Sequence, residues 1–214
     1  SRSLIFLAFA VLAATATHRY ADGGTVPVYI CENGFIAINP PLTGSRLGSL
    51  STRTAHPHFL GEMQHLLSSI GLRVELRNPY AETTKGEMLA GCLDHDLLRQ
   101  LASASTSCGR YQRYNYMHCG RCIPCQIRRA AFLKAGWEDA TPYFYAALGT
   151  LHGPDLDDVR SAGMARISVQ QGGLDRWLGS ALSSPYIPDR ASLKAMLQRG
   201  LDELGALHTL HGIS

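Results

Sequence analysis

The 214-residue sequence predicts an α/β protein: a partial Rossmann-like parallel sheet followed by a C-terminal helical lobe organised by cysteines. Three observations point there. Leu4 to Tyr20 reads as a helix, Ala21-Asp22-Gly23-Gly24 as a turn, and Val26 to Cys31 as a β-branched apolar strand, which together make half of a βαβ unit. Four of the six cysteines fall within eighteen residues, Cys108 to Cys125. Beyond Pro154, two amphipathic stretches, Asp155 to Trp177 and Ser192 to His211, flank the break Ser183-Ser184-Pro185-Tyr186-Ile187-Pro188. The expected divisions are 1–106 for the sheet domain, 107–150 for the cysteine lobe and 151–214 for a helical extension.

Taken in order, the opening helix is rich in Ala and Leu and is expected to be mostly buried, with Ser1 or Ser3 where an N-cap belongs. The strand after it is expected to lie inside a sheet. Glu32 to His58 is a long stretch of Gly, Pro, Ser and Thr, the kind of loop that carries ligand residues past a strand's carboxyl end. Phe59 to Ile70 has helical periodicity and stops at Gly71; Arg73 to Leu76 is a second strand ended by Pro79. Thr83 or Thr84 caps a helix from Lys85 to about Cys92, and Asp94 or Asp96 opens another to Ala104. Gln126 to Ala135 continues the cysteine segment as a helix, and Tyr143 to Leu148 reads as an aromatic helical stretch. In the last helix Leu193, Met196, Leu197, Leu201, Leu204 and Leu207 form one stripe, expected to pack on the main domain.

Composition sets limits. With 45% hydrophobic and 17% charged residues the chain can bury a core, and a net charge of +3 is too weak by itself to point to nucleic acid. The apolar run Leu4 to Ala14 is too short to span a bilayer. Because the chain begins at Ser1 and not at Met, a signal peptide is disfavoured and a truncated N-terminus is expected. Clustered cysteines with long cysteine-free stretches fit a reducing, cytoplasmic compartment better than a disulfide scaffold.

The cluster reads Cys108-x10-Cys119-x2-Cys122-x2-Cys125. Four thiolates complete a tetrahedral zinc with no open position, a structural site. Two-residue gaps turn the chain back on one ion, Gly120 eases the turn, and Arg110, Arg113, Arg121, Arg128 and Arg129 can offset the charge. An iron–sulfur cluster, a disulfide pair or plain buried thiols are the alternatives, and His118 is a competing ligand. Cys31 and Cys92 sit in apolar surroundings and read as core residues. Tyr111, Tyr114 and Tyr116 read as packing around the metal loop, or as a stacking surface for nucleic acid.

The run Cys119-Gly120-Arg121-Cys122-Ile123-Pro124-Cys125, ten residues after a first cysteine and leading into a basic helix, resembles the zinc motif of the 7-cyano-7-deazaguanine synthase (QueC) family. Ser1 to Leu7 is similar to that family's helix start near the nucleotide, and Asn78-Pro79 through Thr84-Lys85-Gly86-Glu87-Met88 to its "Pro, short gap, Thr-Lys-x-Glu-Ile" segment. The stretch Asn39 to His58 departs from the biosynthetic enzymes and resembles a branch found in anti-phage defence clusters (QatC-like). The family belongs to the PP-loop ATP pyrophosphatases, whose first strand leads into a Ser-Gly-Gly-x-Asp-Ser loop. The 214 residues contain no such segment.

The resemblance implies a carbon–nitrogen ligase that uses ATP and Mg2+ to adenylate a carboxylate on a deazaguanine-like small molecule, with structural Zn2+ and a homodimeric habit. It implies nucleotide contacts for Arg2, Ser3 and Lys85, and substrate contacts for Glu32, Asn33, Arg46, Ser51 and Arg53. The arginines suit carboxylate and phosphate, and Glu32 with Asn33 suits a guanine-like edge. His56 and His58 are candidates for proton transfer or metal binding, against the plainer reading of a structural turn. Two other readings stand beside this one: a nucleic-acid-binding zinc module, and a non-catalytic subunit that docks a protein partner of a defence complex through its C-terminal helices. None involves a membrane.

Overall fold

Two parallel strands, β1 (Val26–Tyr29) and β2 (Val74–Arg77), pair with Val26 beside Val74 and Tyr29 beside Arg77. The computed structural model describes residues 2–43, 55–149, 156–179, 181–187 and 189–213, without the side chains of residues 2, 3, 156 and 157. Ten α-helices and one short 3-10 helix (Gln112–Tyr114) accompany the strands among these residues. The architecture is α/β, as the sequence predicts.

Helix α1 (Arg2–Thr15) and the short α2 (His18–Ala21) lead into β1, and α3 (Gly34–Ile38) follows it. Helix α1 departs from expectation. Only its stripe Leu7, Val11 and Ala14 is buried, Val11 and Ala14 packed with Leu67 and Val74, while Ile5, Phe6, Phe9 and Leu12 are exposed. Two strands offer too little sheet to cover more than one face of the helix. The strand β1 is likewise half-buried rather than interior.

Helix α4 (Pro57–Ser69) precedes β2 and closes its outer edge. Gln64 accepts from the Leu76 N–H at 2.8 Å and donates to the Val74 carbonyl at 3.0 Å, so its amide stands in for a neighbouring strand. On β1 the even-numbered N–H groups face β2, as in Val26 to Arg73 and Ile30 to Arg77, which leaves Pro27, with no N–H to offer, on the open edge.

After β2 come α5 (Lys85–Ala90) and α6 (His95–Ala102), then the cysteine segment and α7 (Ile123–Ala135). Thr84 and Glu87 form a reciprocal capping box at the start of α5, and Asp94 caps α6. Residues 143–148 are not a helix. Tyr143 bridges His118, and the N–H groups of Phe144 and Tyr145 donate to the carbonyls of His118 and Cys119. Their backbone is committed to the cysteine loop, and Arg121 and Arg129 bind the Ala147 and Ala146 carbonyls that a helix would use internally.

The expected 155–177 helix is two: α8 (Leu156–Gly172) and α9 (Leu174–Leu178), parted at Gly173, whose φ of 81° is left-handed. Helix α10 (Arg190–Leu210) buries its whole predicted leucine and methionine stripe. That stripe forms the largest apolar cluster with Phe35 and Ile38 of α3, Ile123, Ile127 and Ala130 of α7, and Val159, Ala162 and Ala165 of α8. A Cβ on Gly200 would lie 2.2 Å from the Phe35 ring, so α10 meets α3 in a contact that only glycine allows. No helix among the described residues is long and apolar enough to cross a membrane.

Candidate metal centre and strand-end site

The four predicted cysteines meet. Their sulfurs all lie within 4.8 Å of one another and all four residues are buried; no other metal-holding group of this kind occurs among the described residues. The Cys119–Cys125 and Cys108–Cys122 sulfurs are 3.9 Å apart. A tetrahedral ion with zinc–sulfur bonds of about 2.3 Å requires sulfur–sulfur distances of about 3.8 Å. A disulfide needs about 2.05 Å. A multi-iron cluster, whose cysteines bond different irons, needs more room than one ion. The donor set therefore fits a single structural zinc.

Backbone amides complete the fit. The N–H groups of Arg110 and Cys119 point at the Cys108 sulfur (3.3 Å each), and those of Cys122 (3.2 Å) and Arg121 (3.5 Å) at the Cys119 sulfur. Hydrogen bonds from the Cys122 and Cys125 thiols, helped by these amides, hold Cys119 far below the ordinary thiol range. The same sharing with Cys119 pushes Cys122 up to about 12 and Cys125 up as well. The amides and neighbouring thiols thus favour a thiolate where a cation would lie.

His118 is not the fourth ligand. Its Nε2 accepts the Ser107 N–H at 3.2 Å, and its ring meets Tyr111 and Tyr143 edge-on. Tyr114 is buried against Phe144 and Tyr145, as packing requires, while Tyr116 is 69% exposed. The basic residues build rather than screen. Arg121 is fully buried and stacks 3.9 Å over Tyr145; Arg129 stacks over Tyr143. Arg128 ties Thr141, Ser105 and the Ala102 carbonyl together. Asp158 of α8 accepts the Ile123 N–H and an ion pair from Arg110, docking the lobe on α8. Cys31 is exposed and Cys92 half-buried, so neither is a core residue; each lies just past the end of an element (β1 and α5), where the chain runs along the surface.

A second cluster sits at the carboxyl ends of both strands, where open parallel sheets bind ligands. Asn33 caps α3, accepting from the Ile36 N–H, and its amide donates to the Glu32 carboxylate at 3.0 Å. Asn78, just past β2, donates to the Glu32 carbonyl at 2.9 Å and accepts from the Tyr80 N–H. Lys85 opens α5 beside them. Burial raises the Glu32 carboxyl above its ordinary value, which the Lys85 charge partly offsets. Burial lowers the Lys85 amine, against the pull of Glu32 and with a push from Arg128. Each would gain from a ligand that brought it the opposite charge or a hydrogen bond.

His56 and His58 sit elsewhere. His56 caps α4: its Nδ1 accepts the His58 N–H and its Nε2 reaches the Ala181 carbonyl, both at 3.1 Å. His58 Nδ1 lies 3.2 Å from the Ser184 hydroxyl. Arg46, Ser51 and Arg53 lie outside the described residues, as do the side chains of Arg2 and Ser3. Sequence reasoning missed Asn78 as a member of the site, although an Asn-Pro pair directly after a strand marked the place.

Residues 54–136 match the family model described as "Queuosine biosynthesis protein QueC". Over these residues the chain is similar to the QueC family. The segment contains β2, α5 and all four cysteines. A 7-cyano-7-deazaguanine synthase of Methanocaldococcus jannaschii is 36% identical over 73 residues, 33% of this chain and 32% of that protein. A 7-cyano-7-deazaguanine synthase of Methanococcus aeolicus is 32% identical over 73 residues, 33% of this chain and 31% of that protein. The aligned part of the chain thus spans about a third of the length of the curated relatives it matches. No solved structure matches.

Proposed function

We propose that this chain is part of a cytoplasmic 7-cyano-7-deazaguanine synthase-like ligase, and that it supplies the strand-end wall of the substrate site together with a structural zinc lobe. The observation that carries the reading is the convergence of Glu32, Asn33, Asn78 and Lys85 at the carboxyl ends of parallel strands, inside a fold whose QueC-family segment also holds the four-cysteine centre. In this reading Lys85 faces a nucleotide phosphate or the developing acyl-adenylate, and the Glu32 carboxylate accepts from the ring N–H and amino group of a deazaguanine. Asn33 and Asn78 aim Glu32. Arg2 and Ser3 touch the nucleotide, while Arg46, Ser51 and Arg53 grip the substrate carboxylate. His56 and His58 serve the loop that carries them. ATP and Mg2+ are the nucleotide and metal ion of this reading, with Arg2, Ser3 and Lys85 on the ATP side. A homodimer belongs to the same reading, drawn from the family's habit, and a role in an anti-phage complex is drawn from the likeness of Asn39 to His58 to that branch.

The test is pyrophosphate release from ATP by the full-length protein, with 7-carboxy-7-deazaguanine as substrate. Release that depends on the substrate, and falls at least about tenfold in Lys85→Met and Arg53→Ala, is the expected result. Zinc-loaded, folded protein that releases no pyrophosphate with this substrate would overturn the reading.

A further inference from the structure

Helix α10 lies wholly outside the QueC-family segment, yet it grips the chain on both sides of Lys85. The Glu203 carboxylate, 7% exposed, accepts from the Thr84 hydroxyl and from the Gly86 N–H. Arg199 donates to the Glu87 carboxylate at 2.5 Å and to the Glu82 carbonyl at 3.0 Å. Ser192 donates to the Glu82 carboxylate at 2.7 Å. Three side chains from one helix thus hold Glu82 to Glu87. Gly86 makes the approach possible, because a Cβ there would lie 2.7 Å from Glu203 Oε1 and 2.6 Å from Lys134 Cγ.

The other wall of the site is held by the same helix. Gly200 admits the Phe35 ring of α3, the helix that Asn33 caps directly after Glu32. At Gly34 a Cβ would meet the Ala81 carbonyl and the Met196 side chain, and the Gly34 N–H donates to the Thr83 carbonyl at 2.9 Å. Two neighbouring turns of α10 therefore fix the carboxylate wall through Phe35 and the lysine wall through Thr84.

We infer that Glu203 is a positioning residue: from outside the family segment it sets the placement of Lys85 by anchoring the Thr84 hydroxyl and Gly86 amide at the start of α5. A buried carboxylate at a helix N-terminus suits the helix dipole and satisfies donors that the capping box leaves over. Solvent competes poorly at so buried a position, so the first turn of α5 opens rarely. That α10 orders Lys85 stands on contacts alone; that the lysine meets a ligand rests on the proposed function.

The experiment is competitive acetylation of the zinc-loaded full-length protein with acetic anhydride at one pH, read by mass spectrometry, with the half-buried Lys194, paired to Asp175, as the internal reference. Glu203→Leu is expected to raise Lys85 labelling relative to Lys194 by about fivefold, the local opening that loss of one cap produces. Glu203→Gln keeps an acceptor oxygen for Thr84 and is expected to stay within about twofold of the unsubstituted protein. Arg199→Met, at the solvent-facing end of the grip, shifts labelling the same way by a smaller factor and decides the matter if Glu203→Leu does not fold. Unchanged Lys85 labelling in Arg199→Met and in any folded Glu203→Leu protein, alongside a lowered melting temperature, would overturn the inference and leave α10 as packing only. Failure of ATP to protect Lys85, with labelling still responsive to Glu203, would remove the ligand reading and leave the positioning role intact.

Discussion

His208 Nε2 lies 2.8 Å from Gln126 Oε1, joining the last turns of α10 to the helix that carries Cys125. The Gln126 amide donates to the Arg121 carbonyl at 2.6 Å, so its oxygen must accept, and His208 must carry its proton on Nε2. His208 Nδ1 then accepts from Arg166 at 3.3 Å. The ring is fully buried and fixed in one tautomer, and Gln126 links it to the Arg121 carbonyl, between Cys119 and Cys122.

Acid should loosen this joint. Burial, with Arg166 and His211 nearby, lowers His208 to about 4 from an ordinary 6.5. The unfolded chain then binds the proton between these values and the folded chain does not, so stability falls as pH drops through that window. The loss reaches about 3 kcal/mol at most. His208→Gln keeps the donor to Gln126 and removes the titration. Its melting temperature should change less between pH 6.5 and 4 than that of the unsubstituted protein, with circular dichroism as the readout; parallel curves would show that other groups dominate.

Cys122→Ser should cost the metal. Metal analysis is expected to fall from one zinc per chain to a small fraction, and the variant to melt well below the unsubstituted protein, because binding free energy at such a site is folding free energy. A chelator should bring the unsubstituted protein to the same state.

Two mid-helix glycines should respond with opposite sign. Gly200→Ala forces the Phe35 ring aside and is expected to destabilise by about 1–3 kcal/mol. Gly163 of α8 has nothing within 4 Å of its would-be Cβ. Gly163→Ala should therefore stabilise by about 0.5–1 kcal/mol through helix propensity. Urea titrations of the two variants decide this.

Glu32 and Lys85 should be energetically coupled. Lys85→Met leaves a desolvated carboxylate with less to offset it, and adding Glu32→Gln should recover part of the loss. A double-mutant cycle on stability is expected to give a coupling on the order of 1 kcal/mol. Additive effects would mean that the two groups do not share a field.

Much of this was legible beforehand. The cysteine spacing named its four members because only close, regular gaps bring sulfurs to one point, and α10 announced its buried stripe by leucine and methionine periodicity. Glu203 was legible in principle: it lies three residues after Gly200 and four before Leu207, on the buried face, where a carboxylate needs a partner. The partner, Thr84, is 119 positions away, and no local pattern carries that distance. Residues 143–148 misled because aromatic spacing alone does not say whether backbone groups bond within a helix or to a distant loop. The exposure of α1 was illegible for a different reason. Apolarity reports what a helix could bury, and the amount of sheet available to bury it is set elsewhere in the chain.

The dependence of both strand-end walls on α10 has a consequence for synthesis. A ribosome makes α3, α5 and α7 before it makes α10, the last helix among the described residues. The eighteen-residue cysteine loop can close on its ion as soon as it emerges, while the apolar faces of α3 and α7 wait uncovered for some sixty further residues, on the order of several seconds of elongation. A loop able to hold its ion thus precedes, in order of synthesis, the burial of the apolar surface that α10 later covers.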